Sequence, residues 1–233
     1  MARKIDGLVF DKDGTLFDFR KSWGGWARQL LGGMAKDPEH AQRMGNAIGF
    51  DLSNGEFASD SPVIAATAAD IALALTSHLP GLSTAEITGH INAAAALAPM
   101  AEAVPLRPLL EQLKARGIKL GLATNDTEVP ARAHLAAHGI IDLFDFISGY
   151  DSGHGPKPGP GMCLAFAAKT GLDPARCAMV GDSLHDLHAG RSAGMIAVAV
   201  LTGIATRDEL SGSADVVLAD VGQLPSWLDR VDT

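Results

Sequence analysis

Cysteine, tyrosine and net positive charge are what this sequence has least of. Two cysteines, Cys163 and Cys177, stand in 233 residues with no ligand-like spacing around them. A disulfide between them is open, but a chain of this size does not need one, and the pair is expected to be free thiols of a reducing cytosol. Lysine and arginine number 19 against 27 acids, a formal charge of -8, so binding to nucleic acid or to an anionic membrane is not expected. The greasiest run, Val63 to Pro80, carries Asp70 and is short for a membrane span. No apolar core follows the basic residues of "MARKIDGLVFD", so no signal peptide is expected, and no GxGxxG follows the first strand. Repeats and low-complexity linkers are missing too. These absences leave a soluble, cytoplasmic globular chain.

Apolar residues make up 47% of the chain and charged ones 20%, enough to build one large domain or two small ones. A buried strand is expected at about Ile5 to Phe10. From Phe19 to Ala98 the texture is alanine-rich and helical. "WGGWARQLLGGMA" and "PEHAQRMGNAIGF" read as short helices with glycine breaks. "SPVIAATAADIALALTSHL" reads as the strongest helix, with Ser61 as N-cap and Pro62 in its first turn. Ser83 and Glu86 have capping-box spacing. After Pro105 and Pro108, helices and strands alternate: helix Leu106–Arg116, strand "IKLGLAT", helix Val129–His138, a strand near Phe144–Ser148 and helix Gly161–Thr170. Strand "CAMVGD", helix Leu184–Ser192 and strands "MIAVAV" and "ADVVLAD" complete the run. Such alternation predicts an α/β fold, a doubly wound parallel sheet covered on both faces, interrupted after its first strand by an all-helical insert.

Parallel sheets bind ligands beyond the carboxyl ends of their strands. Reading those ends in order gives Asp11 and Asp13 in "FDKDGT", Thr124 and Asn125 in "LATND", and Lys157 in "GPKPGP". The end of "CAMVGDSLHD" adds Asp182, Ser183 and Asp186. Each alone has a plainer reading: a polar loop, a helix cap, a solvated lysine, an acid on a helix dipole. Their joint arrival at one edge does not. Two like charges at a strand end are costly unless something positive lies between them.

This constellation resembles the haloacid dehalogenase superfamily of phosphohydrolases, along the whole chain. "DKDGT" is similar to its first motif, "ATN" to its second, Lys157 in "PKPGP" to its third and "GDSLHD" to its fourth. The resemblance implies a Rossmann-like catalytic core over residues 1–18 and 99–233, with a helical cap domain over 19–98. Asp11 is the implied nucleophile, since a carboxylate can form an acyl phosphate and split one hard step into two. Asp13 serves as acid and then base. Mg²⁺ suits the hard oxygens of Asp11, Asp182, the Asp13 carbonyl and Asp186, the last directly or through water. Lys157 and Thr124 clamp the phosphoryl oxygens, Asn125 adds a hydrogen bond, and Gly14 lets the backbone approach the phosphate.

The acid at Asp13 argues for ester chemistry over dehalogenation, and Lys21 and Lys36 are not in a context that suits phosphonate cleavage. Lys12 departs from the apolar residue common between the two aspartates, and no function is hung on it. The expected partner is a small phosphorylated metabolite, with 2-phosphoglycolate first and a sugar phosphate or nucleotide next. A phosphosugar mutase and a catalytically silent phospho-ligand binder are the alternatives. Trp23, Trp26 and Phe57 read as the insert's own core, with the pocket mouth as the other place open to one of them. His185 and His188 read as surface residues, and His154 as a loop residue near the substrate. Either a monomer or a homodimer is compatible with the sequence.

Overall fold

Four buried residues, Gly7–Phe10, form the first strand, β1, and alternate between two apolar layers. Leu8 and Phe10 pack into the cluster under the C-terminal helix, and Val9 into the one on the opposite face. The computed structural model describes residues 4–58, 60–64 and 66–231. Expectations touching residues 1–3, 59, 65 and 232–233 lie outside the described residues: the extreme N-terminus, points in the insert and the end of the core.

The insert follows as α1 (Phe19–Met34), α2 (Pro38–Ala47), β2 (Phe50–Asp51), β3 (Glu56–Phe57), α3 (Ala68–Leu75) and α4 (Thr84–Ala96). The remainder alternates: α5 (Leu106–Ala115), β4 (Lys119–Ala123), α6 (Glu128–Ala137), β5 (Phe146–Ser148) and α7 (Gly161–Thr170). It ends with β6 (Cys177–Gly181), α8 (Leu184–Ser192), β7 (Ile196–Val200), α9 (Arg207–Ser211), β8 (Val216–Leu218) and α10 (Leu224–Val231). Six strands form one parallel sheet in the order β5-β4-β1-β6-β7-β8. This is the doubly wound, Rossmann-like α/β architecture.

Three sequence expectations are corrected inside the insert. The glycines do not break α1, which runs through Gly24–Gly25 and Gly32–Gly33 as 16 residues. Its stripe of Phe19, Trp23, Trp26, Leu30 and Leu31 is buried, and that burial outweighs about 1 kcal/mol of helix propensity lost per glycine. Ser61 caps no long helix. Its hydroxyl donates to the Ile48 carbonyl at 2.6 Å and accepts from Val63 N at 3.2 Å, opening a single turn over Pro62–Ile64. The helix proper starts at Ala68, where Thr67 and Asp70 make the capping box. A two-stranded antiparallel hairpin, Phe50–Asp51 with Glu56–Phe57, was not anticipated among the helices. Its strands are too short to show alternation. The Ser83–Glu86 capping box on α4 is present.

The chain enters and leaves the insert through two neighbouring segments. Asp18 N donates to the Ala101 carbonyl at 2.8 Å, and Ala103 N to that of Leu16 at 2.9 Å. No helix among the described residues is long and apolar enough to cross a membrane.

Candidate active site

β1 is flanked by β4 and β6, and its register puts Phe10 level with Leu122 on one side and Val180 on the other. The three strands therefore release Asp11, Thr124 and Asp182 at one edge. The chain reverses its direction of travel across the sheet here, which leaves a crevice.

Asp11, Asp182 and Asp186 are buried, and oxygens from the three lie within 4.8 Å of one another. Lys157 Nζ sits against them, 2.5 Å from Asp11 Oδ1 and 2.6 Å from Asp186 Oδ1. Asn125 fixes the lysine's backbone from both sides: Lys157 N donates to Asn125 Oδ1 at 2.8 Å, and Asn125 Nδ2 to the Lys157 carbonyl at 3.0 Å. Asn125 thus holds the lysine loop and also lines the crevice.

Asp186 is the third residue of α8, whose N-cap is Ser183. Asp186 Oδ2 accepts from Ser183 N and Oγ at 3.0 and 2.7 Å, while Oδ1 takes the lysine. Asp182 is left differently. Thr15 Oγ1 donates to its Oδ1 at 3.2 Å, and its Oδ2 is buried with no hydrogen-bond partner. Gly14, with φ of 83°, leaves room chiefly for this carboxylate, since a Cβ there would overlap Asp182. A Cβ at Gly203 would overlap it too.

The electrostatics follow the burial. Desolvation holds the Asp11 carboxyl up at about 7, against the pull of Lys157 and with Asp186 and Asp13 adding repulsion. Desolvation and the neighbouring Asp11 and Asp186 likewise raise Asp182 well above the ordinary carboxylate range. Burial alone would lower Lys157, but Asp11 and Asp186 outweigh it and hold the ammonium charged. One lysine cannot neutralise three buried acids. An unpartnered oxygen among hard carboxylate donors fits a divalent cation, and the donor type fits Mg²⁺ better than a softer metal. His185 and His188 are exposed and outside this cluster, and exposed His154 lies against Phe146.

Asp13 faces a second network that sequence reasoning missed. Lys12, fully buried, lies 2.7 Å from both Asp13 oxygens and 3.4 Å from Asp126 Oδ2, with His134 Nδ1 at 3.2 Å. His134 Nε2 lies 2.7 Å from the Ala95 carbonyl, which can only accept, so Nε2 carries the hydrogen and Nδ1 accepts from the lysine. Burial, with Lys12 beside it, holds His134 down at about 4, consistent with a neutral ring. Trp23 Nε1 donates to Asp13 Oδ1 at 2.9 Å, and Trp26 meets Trp23 edge-on at 4.9 Å. Both tryptophans line the crevice as well as the insert's core, while Phe57 packs on Phe19 and Phe50. Asp126 was legible in principle, since it follows the strand-end pair Thr124–Asn125. Thr124 Oγ1 accepts from Asp126 N at 3.0 Å.

A family model described as haloacid dehalogenase-like hydrolase matches residues 5–194. The chain belongs to this family. A probable phosphatase, IndB, of Dickeya dadantii is 40% identical over 111 residues, covering 48% of each chain. The phosphoglycolate phosphatase of Rhodospirillum rubrum is 36% identical over 120 residues, covering 52% of this chain and 50% of the relative. The matched chain thus spans about half the length of these curated relatives. In fold, it is similar to a putative haloacid dehalogenase-like hydrolase from Bacteroides fragilis. The TM-score is 0.71 at 21% identity, over 95% of this chain and 100% of that one.

Proposed function

We propose that this member of the family is a Mg²⁺-dependent phosphomonoesterase that works through an aspartyl phosphate on Asp11. The observation that carries the reading is the buried triad Asp11, Asp182 and Asp186, with Lys157 inside it and one Asp182 oxygen unpartnered. Asp11, Asp182 and the Asp13 carbonyl would hold the ion, which would supply positive charge against the phosphoryl group. Asp186 orients Lys157, whose ammonium and the Thr124 hydroxyl hold phosphoryl oxygens.

In the first half-reaction an Asp11 oxygen bonds to phosphorus as the ester P–O bond breaks, and the leaving oxygen takes a proton from Asp13. In the second, Asp13 takes a proton from water. The water oxygen then bonds to phosphorus and the P–O bond to Asp11 breaks, restoring the carboxylate. Lys12 and Trp23 hold Asp13 in place for both. The names of the relatives, phosphatases of which one acts on phosphoglycolate by name, support a small phosphorylated metabolite and put 2-phosphoglycolate first on a test panel. Cys163 and Cys177 are buried and free, with burial pushing both up to about 12, so neither is a candidate nucleophile.

The test is inorganic phosphate release from a phosphomonoester panel in Mg²⁺ and in EDTA, with Asp11→Asn alongside. Metal-dependent release that disappears in the variant is the expected outcome. Release that persists unchanged in Asp11→Asn rules out the covalent route. Ligand binding without release from any ester points to a silent binder.

A further inference from the structure

Trp23 and Trp26 close the crevice together with Val63, Ile64, Ile71 and Ile91, all from the insert. No charged side chain of the insert stands among the described lining residues. On the core side the lining carries Asp11, Asp13, Asp126 and Asp186 against one lysine, Lys157, with exposed His185 next to Asp186. Lys157 is engaged by Asp11 and Asp186. Lys12 is fully buried and engaged by Asp13, Asp126 and His134. Among the described lining residues, no lysine or arginine is therefore left for a second anionic group on the substrate.

We infer that the crevice selects phosphomonoesters whose leaving alcohol is uncharged and carbon-rich, and selects against a leaving group bearing a carboxylate or a second phosphate. The inference rests on the phosphatase reading and refines it. A carboxylate in the half of the crevice beyond the phosphate loses its hydration, meets isoleucine, valine and indole, and faces Asp13 and Asp126. An aromatic or branched alkyl group buries apolar area against the same walls. The Nε1 of Trp26, buried and without a partner, leaves one donor for an acceptor atom on such a ligand. The carboxylate of 2-phosphoglycolate sits on the carbon that bears the ester oxygen. It has to enter this half, so the substrate ranked first by the relatives' names is the one that the lining disfavours.

The experiment compares kcat/KM for benzyl phosphate and 4-carboxybenzyl phosphate, whose alcohols differ in charge and little in leaving ability, with 2-phosphoglycolate as a third ester. The wild type is expected to prefer benzyl phosphate by about 100-fold or more, the cost of an unpaired, partly desolvated carboxylate. Ile64 is only half-buried, so Ile64→Lys can keep its ammonium in water and is expected to narrow the gap by about tenfold through the carboxylated ester. Equal or inverted preference in the wild type overturns the inference, whether or not the variant folds. Absence of release from every ester instead defeats the phosphatase reading. Binding of benzylphosphonate and 4-carboxybenzylphosphonate, followed by tryptophan fluorescence, then decides the leaving-group question without turnover. Tighter binding of the neutral phosphonate upholds the inference, and equal or weaker binding overturns it.

Discussion

Lys12 Nζ lies 2.7 Å from both oxygens of Asp13, with the lysine side chain fully buried. The positive charge that makes Asp13 tolerable at a strand end is its own sequence neighbour, while Lys157 serves Asp11. Asp126, raised by desolvation and steadied by Lys12, is the third member of that network.

Lys12→Met is expected to cost about 2–4 kcal/mol of stability, because it leaves the half-buried Asp13 and Asp126 together with no cation. Urea unfolding measures this, and adding Asp126→Asn should return part of the loss. With Asp13 no longer held, the water-activating half-reaction should slow, and radiolabelled phosphoenzyme should accumulate where the wild type shows little. A variant as stable and as active as the wild type would remove Lys12 from the account.

Trp23→Phe keeps the ring against Trp26 and deletes the N–H that meets Asp13 at 2.9 Å. A hydrogen bond to a charged acceptor contributes about 1.5–3 kcal/mol, so kcat should fall roughly tenfold to a hundredfold. KM should move little if the indole acts on Asp13 alone. A KM effect without a kcat effect would assign Trp23 to substrate packing instead.

Metal-free protein should lose stability as pH rises. Asp11, held up at about 7, and Asp182, held higher than an ordinary carboxylate, keep protons in the folded chain that the unfolded chain has released. Stability is therefore present in acid and lost as pH climbs through 7. His134, held down at about 4, works the other way, but its window lies between about 4 and its unfolded value near 6.5. Melting curves at pH 6.5 and 8 isolate the acids. Mg²⁺ at about 100 times its Kd adds about 2.7 kcal/mol, and the gain should be larger at pH 8. An equal gain at both values would mean that the ion binds elsewhere.

Gly203→Ala asks whether Asp182 has to be where it is. The backbone at Gly203 is outside the left-handed region and suits alanine, but the added Cβ overlaps the unpartnered Asp182 oxygen. The expected result is a folded protein whose Mg²⁺ requirement rises about tenfold to a hundredfold, as when a ligand's orientation is disturbed. Titration of activity against Mg²⁺ reads it directly.

The parallel sheet was legible because each core strand is a short apolar run that ends on polar residues, with a helix of regular spacing behind it. The helix spans Gly161–Thr170 and Leu184–Ser192 stand where the spacing puts them. Asp11, Lys157, Asp182 and Asp186 could be gathered from the sequence because strand ends in such sheets share an edge. The insert was harder to read. Glycine pairs look like breaks unless one knows that Trp23 and Trp26 are buried on the same stripe. A serine before a proline looks like a cap until the Ile48 carbonyl claims its hydroxyl. Lys12 was passed over because it stood out only as a departure from the apolar residue common between the two aspartates, and only packing reveals three partners around its ammonium.

The two crossings between the sheet and the insert, Leu16–Asp18 and Ala101–Ala103, are hydrogen-bonded to each other. The chain therefore enters and leaves the insert at adjacent points, while α4 packs on α6 and Trp23 and the Ala95 carbonyl reach the Asp13 and His134 network of the core. The apolar half of the crevice and the indole that meets Asp13 thus arrive on the same stretch of chain. Exchanging the insert would change the crevice lining and the hydrogen bond to Asp13 together, so a graft has to keep an indole N–H at position 23.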